Sequence, residues 1–439
     1  MNSDSLEDGW KTKYRKSTRL VDEKTDAVVG FNVNIDVIHY IEETDLDVSD
    51  ADPRLVSRVE DYEDLRSSVR YCVDEGENHE VSLGFELDIE GDEHIGGQGG
   101  IMSKYLSQTR NGVVFYSPVL SPEIASILDD GIVFPVEEDG ELRLRPVGDC
   151  SNTQTTKRNH IFEFKTDRSG RLILSGYAEG FDPYFPEPVE GHIDELGDCA
   201  LLSAFHDVSE RPKQKIEKAA SQLRQIEIPV HTEYVHKDDE TASLVIEKIL
   251  PEVDSLGVDT TEMREILMSH GIEVYGDMSL EDSVEYAREV SDSLGIERLH
   301  LHTYQHQVIV ADEEYPVPLE RIRDSALYGC VSSLGVAEEG RIPDSEYIDG
   351  FSPDAADDSD NENDKEILSD SLDEMRRLGE SMHVEGFEED GTARVGDKKV
   401  AVVPTLIHPN PVRTVGMGDI TSAGAFTSEI EYQLSSSPQ

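Results

Sequence analysis

Short apolar segments alternate with longer amphipathic segments along most of the chain. The apolar segments have the length of buried strands, and they cover 27–31, 113–116, 200–202, 228–231, 299–310 and 400–406. Between them, the spacing of apolar residues predicts helices over 211–226, 260–270, 280–294, 366–382 and from 421 onward. This alternation predicts an α/β fold with a largely parallel central sheet. Ligands bind at the carboxyl ends of the strands in such sheets.

Two charged, strand-rich segments, 42–93 and 159–187, interrupt the alternation. The second contains two apolar runs on either side of a turn with glycine, which predicts a β-hairpin. We interpret both segments as insertions that form one smaller lid over the sheet. The predicted boundaries assign 41–93 and 156–189 to the lid, and they assign the rest to a large α/β domain: 1–40, 94–155 and 190–439.

The chain is strongly acidic, with 94 acidic against 39 basic residues and a formal net charge of -55. Such a charge argues against nucleic acid and anionic membrane surfaces as partners. The acid is spread along the chain, which is typical of a surface adapted to concentrated salt. Extensive disorder is the alternative, and the apolar segments argue against it. Only the low-complexity acidic stretch 351–365 is predicted to be a disordered loop.

The sequence contains no secretory signal and no stretch of about 20 apolar residues. Its four cysteines lie far apart and show no C-x-x-C spacing, which is typical of free thiols in a reducing compartment. Together with the acidic surface, these features predict a cytoplasmic protein of an organism that keeps its cytosol salty. They give no oligomeric state.

A glycine-rich turn, Val415-Gly416-Met417-Gly418-Asp419, precedes the last predicted helix. Its glycines let the backbone approach an anion, and the first N–H groups of the helix point to the same place, so residues 416–418 are a candidate anion hole. An aspartate repels phosphate, but it suits a base that takes a proton from a hydroxyl attacking phosphate. Taken alone, the turn is more simply a capped helix start.

Six motifs together carry a family resemblance. Gly96-Gly97-Gln98-Gly99-Gly100-Ile101-Met102 resembles the Gly-Gly-Gln-Ala-Gly-Ile-Met motif of ADP-dependent glucokinases and phosphofructokinases, a branch of the ribokinase-like kinases. The others occur in the family's order: Asn34-Ile35-Asp36, His231-Thr232-Glu233, 253–257, 300–304 and 415–419. The resemblance implies a ribokinase-like, Rossmann-type central sheet flanked by helices, which binds the nucleotide, with a smaller α/β lid domain. It also implies transfer of the β-phosphate of ADP to glucose or fructose 6-phosphate in glycolysis, giving AMP, with Mg²⁺ as cofactor.

Four residues of these motifs are candidate sugar ligands. Asn34 and Asp36 place an amide and a carboxylate at a strand tip, which suits sugar hydroxyls, although a turn-forming Asx pair is the simpler interpretation of either alone. Gly97 and Gln98 offer bare backbone and one amide, and a flexible hinge loop is the alternative there. By similarity to the family, all four contact the sugar.

The lid supplies further candidates. His160 lies in a segment similar to the one that contributes a sugar-contacting histidine in the family, and Glu80 lies near the position of a carboxylate in its glucose-using members. A phosphorylated acceptor needs cations instead, and Arg158, Lys165 and Arg171 are candidates. Glucose and fructose 6-phosphate therefore both remain candidate acceptors.

Two glutamates are candidate metal residues. Glu233 follows His231 by two positions on a strand edge, and its carboxylate can hold Mg²⁺ through water. Glu262 falls where the family places a glutamate that organises the metal, but Asp259 replaces the family's asparagine. Taken alone, Glu262 is a capping-box residue with Asp259 as N-cap, and this role is compatible with metal binding if the helix start faces the site. No zinc site is predicted for three nearby histidines, since nothing completes a ligand set: His300, His302 and His306.

The resulting hypothesis is that Asp419 deprotonates a sugar hydroxyl as it attacks the β-phosphate of ADP. The use of ADP and not ATP follows from the resemblance alone. Two alternatives remain: an ATP-dependent ribokinase-like kinase of another small alcohol, and a sugar or nucleotide sensor without catalysis. The presence of Glu233 and Asp419 argues against the sensor.

Overall fold

The computed structural model describes residues 3–19, 24–44, 46–76, 78–109, 111–128, 131–165, 169–176, 180–208, 210–274, 276–354 and 365–436. Most of the predicted acidic loop, 351–365, therefore lies outside the described residues. None of the described helices is long and apolar enough to cross a lipid bilayer.

The described strands are β1 (Asp26–Gly30), β2 (Asn34–Tyr40), β3 (Arg58–Val59), β4 (His79–Leu83), β5 (Asp92–Gly96), β6 (Gly112–Tyr116), β7 (Ile132–Glu138), β8 (Glu141–Pro146), β9 (Arg158–Lys165), β10 (Ser169–Ser175), β11 (Cys199–Leu202), β12 (Val230–Glu233), β13 (Ser255–Val258), β14 (Arg298–His302), β15 (His306–Asp312), β16 (Thr392–Val395) and β17 (Lys398–Pro404). The described α-helices are α1 (Ser3–Ser17), α2 (Tyr62–Glu75), α3 (Gln98–Gln108), α4 (Pro122–Ile127), α5 (Glu187–Glu190), α6 (Ile193–Leu196), α7 (Pro212–Leu223), α8 (Asp239–Lys248), α9 (Thr260–Ser269), α10 (Leu280–Leu294), α11 (Leu319–Glu339), α12 (Ser345–Gly350), α13 (Ser369–Met382), α14 (Phe387–Asp390) and α15 (Met417–Ser436).

A large sheet forms the centre of the molecule. Within the described part of the chain it has 11 strands, in the order β16-β17-β15-β14-β13-β12-β11-β1-β6-β7-β8. The strands from β14 to β7 pair in parallel, and antiparallel strands extend both edges. Successive residues of β1 and β11 enter separate apolar cores on the two faces, Val28 and Ala200 in one and Val29 and Leu201 in the other. Both faces are therefore buried, as expected for a parallel sheet.

A second, small sheet has the strand order β3-β4-β10-β9-β2-β5, with 6 strands among the described residues. It contains the predicted hairpin, since β9 and β10 pair antiparallel. On one face, α2 packs its Leu65 and Val69 against Phe162 and Leu172 to form a separate apolar core. The other face carries polar side chains and covers the carboxyl ends of the large sheet.

The small sheet does not follow the predicted lid boundaries. It also contains β2 and the end of β5, residues 34–40 and 94–96, which the prediction assigns to the large domain. Conversely, Phe181 and Phe185 lie in the predicted lid but pack into the core of the large sheet. The link between β1 and β2, residues 31–33, is buried throughout, so no exposed linker marks the passage from one sheet to the other.

The packing of α15 against α11 sets the position of Asp419. α15 begins at Met417, earlier than predicted, so that Asp419 lies in its first turn. It packs against α11, where a Cβ atom on Gly329 would lie 2.3 Å from the carbonyl oxygen of Thr421. The close approach of the two helices therefore depends on this glycine.

Candidate active site

A cavity of about 730 Å³ separates the small sheet from the carboxyl ends of the large sheet. Asp207 follows β11 and Val235 follows β12 on its floor. The cavity brings together seven of the predicted site residues: Asn34, Asp36, Glu80, Gly97, Gln98, Gly416 and Asp419. Asn34, Asp36 and Glu80 lie on strands of the small sheet, and the other four lie at the starts of α3 and α15, which pack against strands of the large sheet. Neither part of the molecule therefore contains the site alone.

Asp36 is the central polar group on the face of the small sheet. The Nδ2 amide of Asn34 donates to its Oδ1 at 2.6 Å, and that of Asn159 donates to the same oxygen at 3.3 Å. Burial raises the pKa of Asp36, while the Arg413 guanidinium and the two amides counteract that rise. The result is a fixed carboxylate flanked by amides, which is suited to hold sugar hydroxyls.

Gly97 and Gln98 form the start of α3 beneath this face. Gly97 has φ of 75°, and a Cβ atom there would lie 3.0 Å from Oδ1 of Asn34, so the position requires glycine. The buried Oε1 of Gln98 has no hydrogen-bond partner among the described residues. Because Gln98 also lines the cavity, this oxygen is available to a ligand hydroxyl.

Asp419 lies where the turn 415–418 enters α15. Gly416 there has φ of 82°, the left-handed region that favours glycine. Desolvation and then the negative charge of Glu233 raise the pKa of Asp419 to about 7, with His302 opposing the rise. The N–H groups of the first helical turn, including those of Met417 and Gly418, have no acceptor within the helix. A carboxyl with a near-neutral pKa therefore lies beside a helix start, which is the kind of position that favours an anion.

Glu233 is held by two histidines below the cavity. Its Oε1 lies 2.8 Å from Nε2 of His231, and its Oε2 lies 3.2 Å from Nε2 of His302. Although burial by itself raises the pKa of Glu233, the hydrogen bonds from these histidines outweigh it and hold the pKa well below its usual range. Glu233 therefore stays ionised and fixed in one orientation.

Glu262 forms the predicted capping box at the start of α9. Its Oε2 accepts from the backbone N–H of Asp259 at 2.8 Å, and Asp259 accepts from the backbone N–H of Glu262 in return. Burial raises the pKa of Glu262 well above its usual value, and the charges of Asp259, Glu233 and Asp419 add to the rise. The capping role is thus present, and the same carboxyl lies close enough to the other acids to repel them.

The carboxylates of Glu233, Glu262 and Asp419 are suited to a divalent cation that is held through water molecules. Their mutual repulsion is what a bound cation relieves, and carboxylate oxygens are the ligands that Mg²⁺ prefers. In the part of the chain that is described, no three potential ligands converge closely enough to bind a metal directly. His300 and His306 make hydrogen bonds to Gln307 and to the carbonyl of Ser371, which is a structural role.

The structure does not bring His160 to the cavity. On β9, Asn159 and Ile161 face the cavity, so that His160 points to the opposite side. There its Nδ1 lies 2.9 Å from Nε2 of His39. Asn159, which the sequence analysis did not select, is the residue of this strand that contacts Asp36.

The three predicted lid cations are also separated from one another. Arg158 forms ion pairs with Glu93 at 2.6 Å and with Glu123, outside the cavity lining. The side chain of Lys165 lies outside the described residues. Arg171 lines a smaller neighbouring cavity.

A buried chain of hydrogen bonds behind Glu233 was not predicted. The Nε and Nη2 atoms of Arg298 donate to the two carboxylate oxygens of Glu429, each at 2.9 Å. Nη1 of Arg298 donates to Oγ of Ser255 at 3.0 Å, and this oxygen lies 2.9 Å from Nδ1 of His231. Ser255 can then donate to Nδ1, so that the Nε2–H of His231 points to Glu233. The chain therefore fixes the histidine tautomer that holds Glu233.

Gly257 on β13 makes room for the Glu233 carboxylate. A Cβ atom at this position would lie 1.9 Å from Oε1 of Glu233. We expect Gly257→Ala to displace the carboxylate and to lower kcat by about 100-fold, because displacements of about 1 Å have effects of that size. Steady-state kinetics measures the change, with Gly191→Ala as control, since nothing lies within 4 Å of a Cβ at Gly191. Equal kcat values for the two variants would contradict the expectation.

This geometry defines a class of enzyme. A carboxyl with a raised pKa beside the N–H groups of a helix start, under a face of amides and carboxylates, is an arrangement suited to a phosphotransferase that acts on a hydroxyl group. Residues 25–428 match the conserved region of ADP-specific phosphofructokinase/glucokinase. The chain belongs to this family, which confirms the predicted family and the predicted class of kinase.

Curated relatives include both kinds of kinase. The ADP-specific phosphofructokinase of Pyrococcus abyssi (strain GE5 / Orsay) is 28% identical over 398 residues, 82% of each chain. The ADP-dependent glucose/glucosamine kinase of Pyrococcus furiosus is 24% identical over 476 residues, 98% of this chain and 99% of the relative.

Solved structures share the fold. An ADP-dependent kinase in complex with fructose-6-phosphate and ADPbetaS has a TM-score of 0.81 at 23% identity, covering 98% of this chain and 99% of that chain. The last common ancestor of ADP-dependent phosphofructokinases from Methanosarcinales has a TM-score of 0.78, with the same identity and coverage. The predicted ribokinase-like α/β fold is therefore confirmed.

Proposed function

We propose that the protein transfers the β-phosphate of ADP to a hydroxyl of a hexose or a hexose phosphate and releases AMP. One observation carries the proposal for the site: Asp419, with a pKa raised to about 7, shares a cavity with the polar face of Asn34, Asp36 and Gln98. Family membership and the names of the relatives support ADP as donor and a sugar as acceptor.

In the proposed reaction, the sugar hydroxyl attacks the β-phosphorus of ADP while its proton passes to a carboxylate oxygen of Asp419. The new O–P bond forms as the bond between the β-phosphorus and the bridging oxygen of ADP breaks, and that oxygen leaves with AMP. The N–H groups at the start of α15 stabilise the charge on the transferred group. Asn34, Asp36 and Gln98 hold the sugar so that one hydroxyl faces Asp419.

We further propose that Glu233 and Glu262 hold a Mg²⁺ ion through water molecules. The support is the repulsion among these carboxylates and Asp419, together with the two histidines that keep Glu233 ionised. When bound, the ion would neutralise charge on the phosphates of the nucleotide. The small sheet covers the cavity and restricts the access of water, which would otherwise hydrolyse the nucleotide.

The test crosses ADP or ATP with glucose or fructose 6-phosphate, in molar KCl with Mg²⁺. We expect product with ADP only, and the productive sugar identifies the acceptor. Turnover with ATP only would overturn the donor and assign the protein to the wider kinase superfamily. Binding of both ligands without turnover would overturn catalysis and favour a sensor.

A further inference from the structure

The large sheet ends in an open strand at one edge. Strand β8 is the last in its strand order, and among the described strands it pairs only with β7. Five of its six residues are exposed, including Leu144 at 44%. An open edge strand is a template for pairing with another strand. The outward backbone groups and the side chains of β8 therefore decide what can pair with it.

The turn between β7 and β8 determines which backbone groups of β8 point outward. The turn Asp139-Gly140 has φ values of 54° and 80°, as in a two-residue type I′ hairpin, and Glu138 pairs with Glu141 across it. This flanking pair is hydrogen-bonded, and hydrogen-bonded pairs then alternate with pairs that are not. The N–H and C=O groups of Leu142 and Leu144 therefore point away from β7.

Two prolines of the hairpin support this assignment. Proline has no N–H, so within a hairpin it fits only where no ladder hydrogen bond is needed from that residue. Pro135 pairs with Leu144, and Pro146 pairs with Val133. Both prolines thus lie in pairs without hydrogen bonds between β7 and β8, the same class of pair as Leu144. Pro146 also ends the row of outward donors.

The side chains of β8 divide into an apolar face and a charged face. Successive residues of a strand point to opposite faces, so Leu142 and Leu144 share one face and Glu141, Arg143 and Arg145 share the other. The strand carries one acidic and two basic side chains, in a chain with 94 acidic against 39 basic residues. Two copies of the chain can therefore approach each other along β8 with less charge repulsion than elsewhere.

We propose that β8 pairs antiparallel with β8 of a second copy of the chain, with Arg143 at the two-fold axis. Leu142 then lies opposite Leu144 of the second copy, and each such pair exchanges both of its backbone hydrogen bonds. The leucines of the two copies pack together on one face. On the other face, Glu141 lies opposite Arg145 of the second copy. The contact is self-complementary and closes as a dimer.

The same strand disfavours the neighbouring registers. A two-fold axis at Leu144 would place Pro146, which has no N–H, opposite Leu142 of the second copy. A two-fold axis at Leu142 would place Leu144 opposite Gly140, which lies in the turn. The register with Arg143 at the axis is therefore the one in which every outward N–H of Leu142 and Leu144 meets an outward C=O.

Charged side chains on an edge strand usually prevent pairing, because like charges meet on approach. In the proposed register Glu141 meets Arg145 instead. Glu138 of the same hairpin accepts from Nε and Nη2 of Arg145, which leaves Nη1 for the second copy. The two Arg143 side chains do face each other, but each lies 3.5 Å from Glu141 and 3.7 Å from Glu138 of its own chain. These glutamates offset the repulsion.

The first test measures the mass in solution by gel filtration with light scattering, in molar KCl. We expect twice the chain mass of 48.9 kDa for the wild type. Leu144→Pro removes an outward donor without breaking a bond to β7, so its mass should fall to that of one chain. Leu144→Val is the matched control, since it keeps the donor and should remain a dimer. Circular dichroism and thermal unfolding check that both variants are folded.

A second test addresses the register and does not depend on proline. All four native cysteines are buried, so Arg143→Cys introduces an exposed thiol. Opposite residues in such a pair have Cα atoms about 4.5 Å apart, within the range of a disulfide. Mild oxidation should therefore link two copies of Arg143→Cys, as seen on a non-reducing gel. Glu141→Cys is the control, because this position would lie about 14 Å from its equivalent in the second copy.

Three results would overturn the dimer or its register. They are a wild type with the mass of one chain at every concentration, a dimer that persists in folded Leu144→Pro, and a cross-link that forms in Glu141→Cys but not in Arg143→Cys. No residue of β8 lines the large cavity, so each of these results is independent of the proposed reaction.

Discussion

Asp419→Asn is expected to lower kcat by about 10²–10⁴-fold, because that is the range of a general base. The amide has nearly the same shape and can still accept a hydrogen bond from Gln98, so the fold and the binding of sugar and nucleotide should remain. Steady-state kinetics measures the loss, and calorimetric titration with both ligands measures binding. Activity like that of the wild type would exclude Asp419 as the base.

The pH profile of the wild type gives an independent check on this base. Since burial and the charge of Glu233 raise the pKa of Asp419 to about 7, the carboxyl is largely protonated at pH 6 and cannot accept a proton. We therefore expect kcat/KM to fall about tenfold for each pH unit below about 7 and to level off above it. A profile that is flat between about pH 5.5 and 8 would show that no such group controls the reaction.

Glu429→Ala is expected to lower the free energy of unfolding by about 3–5 kcal/mol, the usual cost of leaving one charge of a buried pair without its partner. Glu429 and Arg298 are both fully buried, and the alanine removes the two carboxylate oxygens that accept from Nε and Nη2 of Arg298. Tyr315 loses a partner too, because its hydroxyl donates to Glu429. Urea unfolding, monitored by circular dichroism, measures the change.

The double variant Arg298→Met/Glu429→Leu separates stability from positioning. Because it removes both charges, we expect it to recover most of the lost stability. Its kcat should nevertheless be lower than that of the wild type, since Ser255 no longer receives the hydrogen bond from Arg298 and His231 is no longer held toward Glu233. A stable double variant with the kcat of the wild type would show that the pair serves stability alone.

Sequence patterns predicted the parallel centre of the fold because each buried strand is an apolar run with a clear end. Helix α10 has the predicted bounds, 280–294, because an amphipathic spacing is combined with a capping box at Ser279 and a glycine at 295. The segment 299–310, by contrast, is two antiparallel strands joined at 303–305. The apolar pattern continues on both sides of this turn, so periodicity alone could not locate it.

The sequence analysis identified site residues mainly in motifs where a polar side chain follows glycines, such as Gln98 after Gly97 and Asp419 after Gly418. The long helix α11 was missed because buried residues surround it on most sides and leave no amphipathic pattern. Asn159 and the chain from Glu429 to His231 were missed for another reason: their partners are distant in sequence, and Asn159 reaches Asp36 across 123 positions. Such contacts depend on register and topology, which local patterns do not contain.

The pairing of β2 with β9 also bears on how the molecule folds. These strands of the small sheet pair in parallel, and the segment between them contains β6, β7 and β8 of the large sheet. Pairing of β2 with β9 closes a long loop, and this closure lowers the conformational entropy of the chain. Folding of the intervening segment shortens the flexible loop and so reduces that cost. We therefore expect the small sheet to form later than the large sheet. Hydrogen exchange would detect this order as weaker protection of the backbone N–H of Ile38 in β2 than of that of Val29 in β1. The polar face of the small sheet would then form only in the fully folded protein, so that ligand binding at this face would indicate completed folding.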